Sequence, residues 1–409
     1  MERPVLRHVD LKPINVEGEQ LFSLSDPTGI VEEVLLLQPS AAYIVMHLDG
    51  DHDIAEIHAK VEAQFNGDLL PENTISNLIT QLDEYGFLES TTYEAKYQSV
   101  VLGFLDSPVR ASSMAGKSYP DNPEELRAFL DEQFLRDSAI GEMCPEPSHD
   151  TPPLPGLIVP HIDLQRGGHS YSHGYHALAS AGKPDTIIIF GVAHAAQPVP
   201  FILTRKDFET PLGTLSTDTA LVDRLASKCT WDPFEFELTH RTEHSIEFQT
   251  LMLSYIYGPT VKIVPILASY FGEDTAFLSE GQNGPLHAFL NECRTIVRES
   301  KGKANVIGGV DMAHVGRCFG DDFDIDDDVI ANVEDRDRED LAHVERLDPE
   351  GFFRSVMRDR NLRKVCGLNA IYATAYTLQD TVSHAEMLHY DYAHDPSDGI
   401  VSFVSMALR

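Results

Sequence analysis

Several short apolar runs in the chain end on residues that bind metals or move protons. "LIVPH" leads to His161 and "TIIIFGVAH" leads to His194, while "VIGGVDMAH" brings Asp311 and then His314. "KVCGLNAIY" sets Cys366 at a turn before a helical stretch. "RTEHSIEF" sets Glu243, His244 and Glu247 at a helix start, with Thr242 as its expected cap. A buried imidazole or carboxylate without a partner costs several kcal/mol, so repeated placement at strand ends points to use. Two imidazoles and a thiolate can hold a divalent transition metal while leaving coordination positions open. His161, His194 and Cys366 would make that set, and the sulfur favours iron, copper or zinc over magnesium. Asp311 and His314 are then candidates for acid–base work, and Glu243 and His244 for orienting a ligand histidine or moving a proton.

Other polar residues divide differently. His169, His173 and His176 are spaced along the helix expected after His161 and fall outside the ligand set, although His169 could line a cleft. Asp163 reads as the cap of that helix. Cys318 reads as packing, and Glu247 stands equally as a helix-surface charge or a site group. His384, His389 and His394 have the spacing of strand and turn residues. The acid run "DDFDIDDD", Asp321–Asp328, lacks the glycine and closing glutamate of an EF-hand and reads as a solvated loop.

The elements that must position these groups follow from periodicity. "LIVP", "DTIIIFG", "FILT", "VKIVPIL" and "NVIGGVD" are branched apolar runs bounded by turn residues, as expected for strands buried on both faces. Helical stretches such as "TALVDRLASK" and "SIEFQTLMLSYIYG" lie between them. The expected fold class is α/β, a three-layer domain around a mostly parallel sheet. In such sheets ligands bind beyond the carboxyl ends of the strands. Upstream, "NPEELRAFLDEQFLRD" is a helix with Pro123 in its first turn and Glu124 and Glu125 at the positive end of its dipole.

Residues 1–96 read as a separate small α+β unit, followed by a linker over 97–107. "EEVLLLQPSAAYIVMHLDG" gives a strand and then a helix start at Pro39–Ser40. Asp53 and Glu56 have capping-box spacing ahead of Ile57, Val61 and Phe65. Ile75, Leu78, Ile79 and Leu82 mark a second helix ending near Gly86, and "FLEST" reads as a short return strand.

Composition narrows the function. With 65 acidic and 31 basic residues the net charge is −34, and no basic cluster is present to neutralise phosphates, so nucleic acid is excluded as an expected partner. The charge suits a cationic partner or a salty cytoplasm. No apolar stretch is long enough to span a membrane, and the first residues are too charged for a signal peptide. The five cysteines are odd in number and scattered, which is no disulfide framework. The expectation is a reduced, cytoplasmic protein without membrane contact.

Residues 108–409 resemble the MEMO family, of the AmmeMemoRadiSam system protein B type. The motifs "SSMAGKSYPDNPEELRAFLDEQF", "VPHIDLQRGGHSY", "FGVAHAAQ", "FETPLGTLSTD", "EHSIEFQTLML", "VDMAHVG" and "VCGLNAIYATAYTLQ" occur in the family's order. The resemblance implies a fold like the class III extradiol, non-haem-iron dioxygenases. It also implies metal ligation by His161, His194 and Cys366, with Glu243, His244, Asp311 and His314 in the cleft. Two departures stand out: "PHIDLQRGG" where relatives often have "PHAG", and "VAHAA" where many have "PSHH" or "PNHT". In bacteria and archaea the family looks like one component of a system with an AMMECR1-type protein and a radical-SAM enzyme. Residues 1–96 resemble a PqqD-type winged-helix recognition domain, which grips a peptide by adding it as a strand. Together these imply an iron- or copper-dependent redox protein, with zinc as a further metal, acting in peptide or protein modification. The alternatives are a non-catalytic peptide- or partner-binding protein using the same cleft, and a zinc-dependent hydrolase.

Overall fold

The structure is a computed structural model that describes residues 2–16, 18–65, 73–148, 151–272 and 284–409. It divides into two compact units, Met1–Asp106 and Ser107–Arg409.

The first unit has a three-stranded antiparallel sheet ordered β1 (Asp10–Val16), β2 (Glu19–Ser25), β3 (Leu35–Leu37). Helices follow at Pro39–Val45, Ile54–Gln64, Thr74–Tyr85 and Thr91–Asp106. Both bonds of the Asp53–Glu56 capping box form, each at 2.9 Å. Gly86 ends the third helix at φ +90°, the left-handed conformation that favours glycine. Ile44, Ile57, Leu82 and Phe87 share the core. The "FLEST" segment departs from its expected strand. Leu88 makes one isolated bridge, to Leu6, and the next helix begins at Thr91. Residues 97–106, read as linker, are the second half of that helix, so the chain stays within the first unit up to Asp106.

The second unit is the expected three-layer α/β domain. Its central strands β5 (Gly156–Val159), β11 (Ala304–Gly309), β6 (Thr186–Val192), β10 (Lys262–Ala268) and β9 (Gly213–Thr217) lie side by side and pair in parallel. Further strands extend it on both flanks. On one side β14 (Gly399–Leu408) pairs with β5 and carries β12 (His314–Gly316) and β13 (Ala385–Asp395). On the other, β8 (Asp207–Thr210) pairs with β9, and β4 (Val109–Arg110) with β8; the short β7 (Phe201–Leu203) joins β10.

Successive side chains of a strand face opposite sides of the sheet, and β6 shows what this does to the core. Ile188, Phe190 and Val192 enter one apolar cluster, with helices Pro285–Glu299 and Leu368–Leu378. Ile187 and Ile189 enter the other, with helices Pro123–Leu135, Leu164–Ala179 and Glu247–Tyr257. Because β5, β6 and β11 run in the same direction, their carboxyl ends open on one edge. The residues that follow, His161, His194 and Asp311, are therefore delivered to one place.

Candidate metal centre

His161 is 1% exposed and has both ring nitrogens accounted for. Its Nδ1 lies 2.9 Å from the Gly309 carbonyl, which can only accept, so that nitrogen carries the hydrogen and Nε2 keeps its lone pair. Nε2 lies 3.3 Å from Cys366 Sγ. Cys366 Sγ also lies 3.6 Å from the Asp311 carbonyl, and Gly367 donates to that carbonyl at 3.0 Å, just ahead of helix Leu368–Leu378. The neighbouring backbone leaves Gly309 no room for a side chain. A Cβ there would sit 2.6 Å from the Ser245 carbonyl oxygen.

His194 is oriented by a carboxylate. Its Nδ1 lies 3.1 Å from both oxygens of Glu243, which leaves Nε2 free on a ring that is 40% exposed. This carboxylate–histidine pairing is the usual support of a metal-binding imidazole. Glu243 is itself held by backbone N–H groups of His194 at 3.0 Å, His244 at 2.8 Å and Ser245 at 3.0 Å. Donor atoms of His161, His194 and Cys366 all lie within 4.8 Å of one another. That spacing fits donors around one ion with bonds of about 2.0–2.3 Å. His194 and Glu243 also group with His244 in the same way.

Around these donors lie the cleft groups His244, Asp311 and His314. The His244 ring stacks on His194, with centroids 4.8 Å apart and planes 15° from parallel. Asp311 Oδ1 accepts from the backbone N–H of His161 at 3.0 Å and Ile162 at 3.2 Å, and Oδ2 lies 3.5 Å from His161 Nε2. His314 begins β12, and its Nδ1 lies 3.2 Å from the Met312 carbonyl. A cavity of about 430 Å³ is lined by His161, His194, His244, Asp311 and His314, with Arg166 at its side.

Burial and neighbouring charge set the protonation states. Burial, aided by the His194 charge, pushes His161 down to about 3. Burial likewise lowers His244, to about 4, and His314. For His194 burial also acts downward, but the hydrogen bond and charge of Glu243 outweigh it and the ring holds its proton more tightly than usual. Glu243 shows the counterpart: burial would raise it, yet His194 and His244 hold it below the usual carboxylate range. Burial raises Asp311, and burial and Asp311 together raise the Cys366 thiol well above its ordinary value.

Three expectations change. Helix Glu247–Tyr257 takes no cap from Thr242; Ile246 occupies the N-cap position without a side-chain bond, and Thr242 instead ends a short 3-10 turn. Glu243 and His244 therefore stand in the loop before the helix. Glu247 is neither surface charge nor cleft residue. It is fully buried against Arg110, with Tyr119 Oη at 2.5 Å, Ser113 N at 3.0 Å and Met114 N at 2.8 Å. Cys318 is exposed rather than packed in the core. Asp163 caps helix Leu164–Ala179 as expected, accepting from Arg166 N at 3.0 Å.

The sequence reading missed Arg110. Its guanidinium ties Glu247 to the loop, donating to the carbonyls of Glu243 at 2.8 Å and His240 at 2.9 Å. No periodicity marks an arginine in a two-residue strand.

A family model described as Memo-like protein matches residues 110–407. The chain belongs to the Memo-like protein family. A MEMO1 family protein of Aquifex aeolicus (strain VF5) is 29% identical over 406 residues, 99% of each chain. A MEMO1 family protein of Methanopyrus kandleri is 28% identical over 306 residues, covering 73% of this chain and 99% of its own. One of Methanosarcina acetivorans is 30% identical over 305 residues, 73% of this chain and 97% of its own. The Memo-like portion is thus shared with all three, and the likeness to the Aquifex protein extends along nearly the whole chain. Among the described residues no helix is long and apolar enough to cross a membrane.

Proposed function

We propose that the Memo-like unit is a metal-dependent redox protein. Its resident ion would be iron or copper, with zinc the remaining candidate, held by His161 Nε2, His194 Nε2 and Cys366 Sγ. The observation that carries this reading is the convergence of three donors, with both imidazoles already turned by hydrogen bonds on their other nitrogens. When bound, such an ion supplies electron transfer and polarisation of a ligand at its open positions. The protein's own groups do the rest. Glu243 fixes the His194 ring by accepting its Nδ1 hydrogen, which leaves the Nε2 lone pair for the ion. His244 and His314, kept neutral by burial, can accept a proton from a substrate in the cleft. Asp311 holds the turn carrying His161 through two backbone bonds. The Cys366 thiol must give up its proton on metal binding.

The first unit would recruit a peptide or partner protein. In support, β1 pairs on one side only, with β2, among the described residues, leaving an edge to which an extended segment could add. A PqqD-type role, cooperation with a radical-SAM enzyme and an AMMECR1-type protein, and a cytoplasmic setting complete the proposal.

The test is metal analysis of protein purified without oxygen. One iron or copper per chain, lost in His161→Ala and in Cys366→Ser, is the expected result. Nitric-oxide binding by the reduced protein would mark iron, whereas stoichiometric zinc without oxygen uptake would favour a hydrolase. A metal-free protein that still binds its partner peptide would replace catalysis with docking.

A further inference from the structure

A second group of histidines lies away from the cleft, where helix Leu164–Ala179 meets strand β13. "HSYSH" places His169 and His173 one helical turn apart on the same face. "HYD" places His389 and Asp391 two positions apart on a strand, so both point to one side. The two pairs meet. His169 Nε2 lies 2.6 Å from Asp391 Oδ2, and the His169 and His389 rings are 5.1 Å apart, edge to face. His173 stacks on His389 at 4.6 Å with planes 14° from parallel, and its ring bonds to the Ser138 backbone. A ladder irregularity between Met387 and His389 offsets the register at this point.

The supports are rigid. Gly174 lets the helix press on the sheet, since a Cβ there would lie 2.5 Å from Val159 Cγ1 and 3.1 Å from Ser405 Oγ. Ser405 Oγ donates to the Ser170 carbonyl at 2.6 Å, locking helix to β14. One nitrogen is left over: His389 Nδ1 is buried and has no hydrogen-bond partner. A buried polar atom left unpaired costs about 1–3 kcal/mol. A cation would remove that cost.

We propose that His169, His389 and Asp391 form a second metal site, for a divalent cation of the zinc type. Donor atoms of these three residues lie within 4.8 Å of one another. Two imidazoles and a carboxylate suit zinc and its neighbours better than calcium or magnesium, which prefer all-oxygen sites. His173 positions the His389 ring by stacking. The ion's role is structural, pinning to β13 the helix that begins three residues after His161. The site is independent of the centre proposed above and shares no ligand with it.

The experiment counts zinc bound by the full-length chain, stripped with a chelator and then dialysed against zinc ion at neutral pH. Two zinc ions per chain are expected. The His161→Ala, Cys366→Ser double variant, or Cys366→Ser alone should the double variant not fold, retains one. Adding His389→Gln or Asp391→Asn weakens that remaining ion at least tenfold, with circular dichroism verifying the fold. Zinc raises the melting temperature of the background variant and not of the variant that also carries His389→Gln. A folded background variant that binds no zinc overturns the proposal, as does zinc binding indifferent to both His389→Gln and Asp391→Asn. Failure of the cleft centre looks different: wild type then holds one zinc, unaffected by Cys366→Ser and lost with His389→Gln.

Discussion

The two histidine clusters of the second unit are assembled by opposite means. The cleft imidazoles of His161 and His194 come from loops beyond the ends of parallel strands, where the Gly309 carbonyl and Glu243 turn the rings and Asp311 holds the backbone of the His161 turn. The outer group comes from the regular periods of one helix and one strand; a hydrogen bond ties His169 to Asp391, while His389 has a ring stack and an unpaired Nδ1. Loops at strand tips can aim a donor freely but need scaffolding to keep it there. Regular elements need little scaffolding but fix their donors only as well as the two elements are seated. Perturbing each support should therefore affect one cluster and spare the other.

The largest effect is expected at Arg110. Arg110→Met leaves the Glu247 carboxylate buried without its cation and unties the loop bearing Glu243, which should cost about 3–5 kcal/mol. Urea unfolding measures it; a loss under 1 kcal/mol would mean the clamp is dispensable. Next is Glu243→Gln, which keeps the shape but removes the charge behind His194. Metal affinity at the cleft should fall roughly 10–100-fold while zinc binding at the outer cluster is unchanged. Equal losses at both sites would erase the distinction between them.

A third test uses acid. His240 is fully enclosed, with Nε2 at 3.1 Å from the Ile202 carbonyl, and burial pushes it down to about 3. The unfolded chain takes up that proton near the ordinary 6.5, whereas the folded chain refuses it until about 3. Stability then falls as pH drops through that window, by at most about 1.4 kcal/mol per pH unit for this residue. Denaturation series at several pH values should show a shallower slope for His240→Gln than for wild type. The smallest effect is His173→Ala, which removes the stack on His389. A loss of about 0.5–1.5 kcal/mol, roughly twofold to tenfold in zinc affinity, is expected at the outer cluster alone.

Much of the second unit could be read before its structure. Branched apolar runs located β5, β6, β10 and β11, and parallel order then forced their ends, with His161, His194 and Asp311, onto a common edge. Local chemistry was equally legible where it depends on residues a few positions apart, as in the Asp53–Glu56 box and the Asp163 cap. What escaped were facts about distant faces meeting. Glu247 has the sequence context of an exposed helix start, and its burial depends on Arg110, 137 residues earlier, with Ser113, Met114 and Tyr119. His169 and Asp391 are 222 positions apart, and helical or strand period says which side each occupies without saying which sides touch. "FLEST" had strand-forming residues, but one bridge was all the neighbouring backbone offered.

The Arg110–Glu247 tie also fixes where this protein can be cut. Excising the parallel-strand core from Gly156 onward would look reasonable from strand order alone. That fragment would lose the guanidinium, the Tyr119 hydroxyl and the two amides around Glu247, stranding a negative charge beneath the cleft. A fragment that keeps these contacts has to begin at or before Arg110.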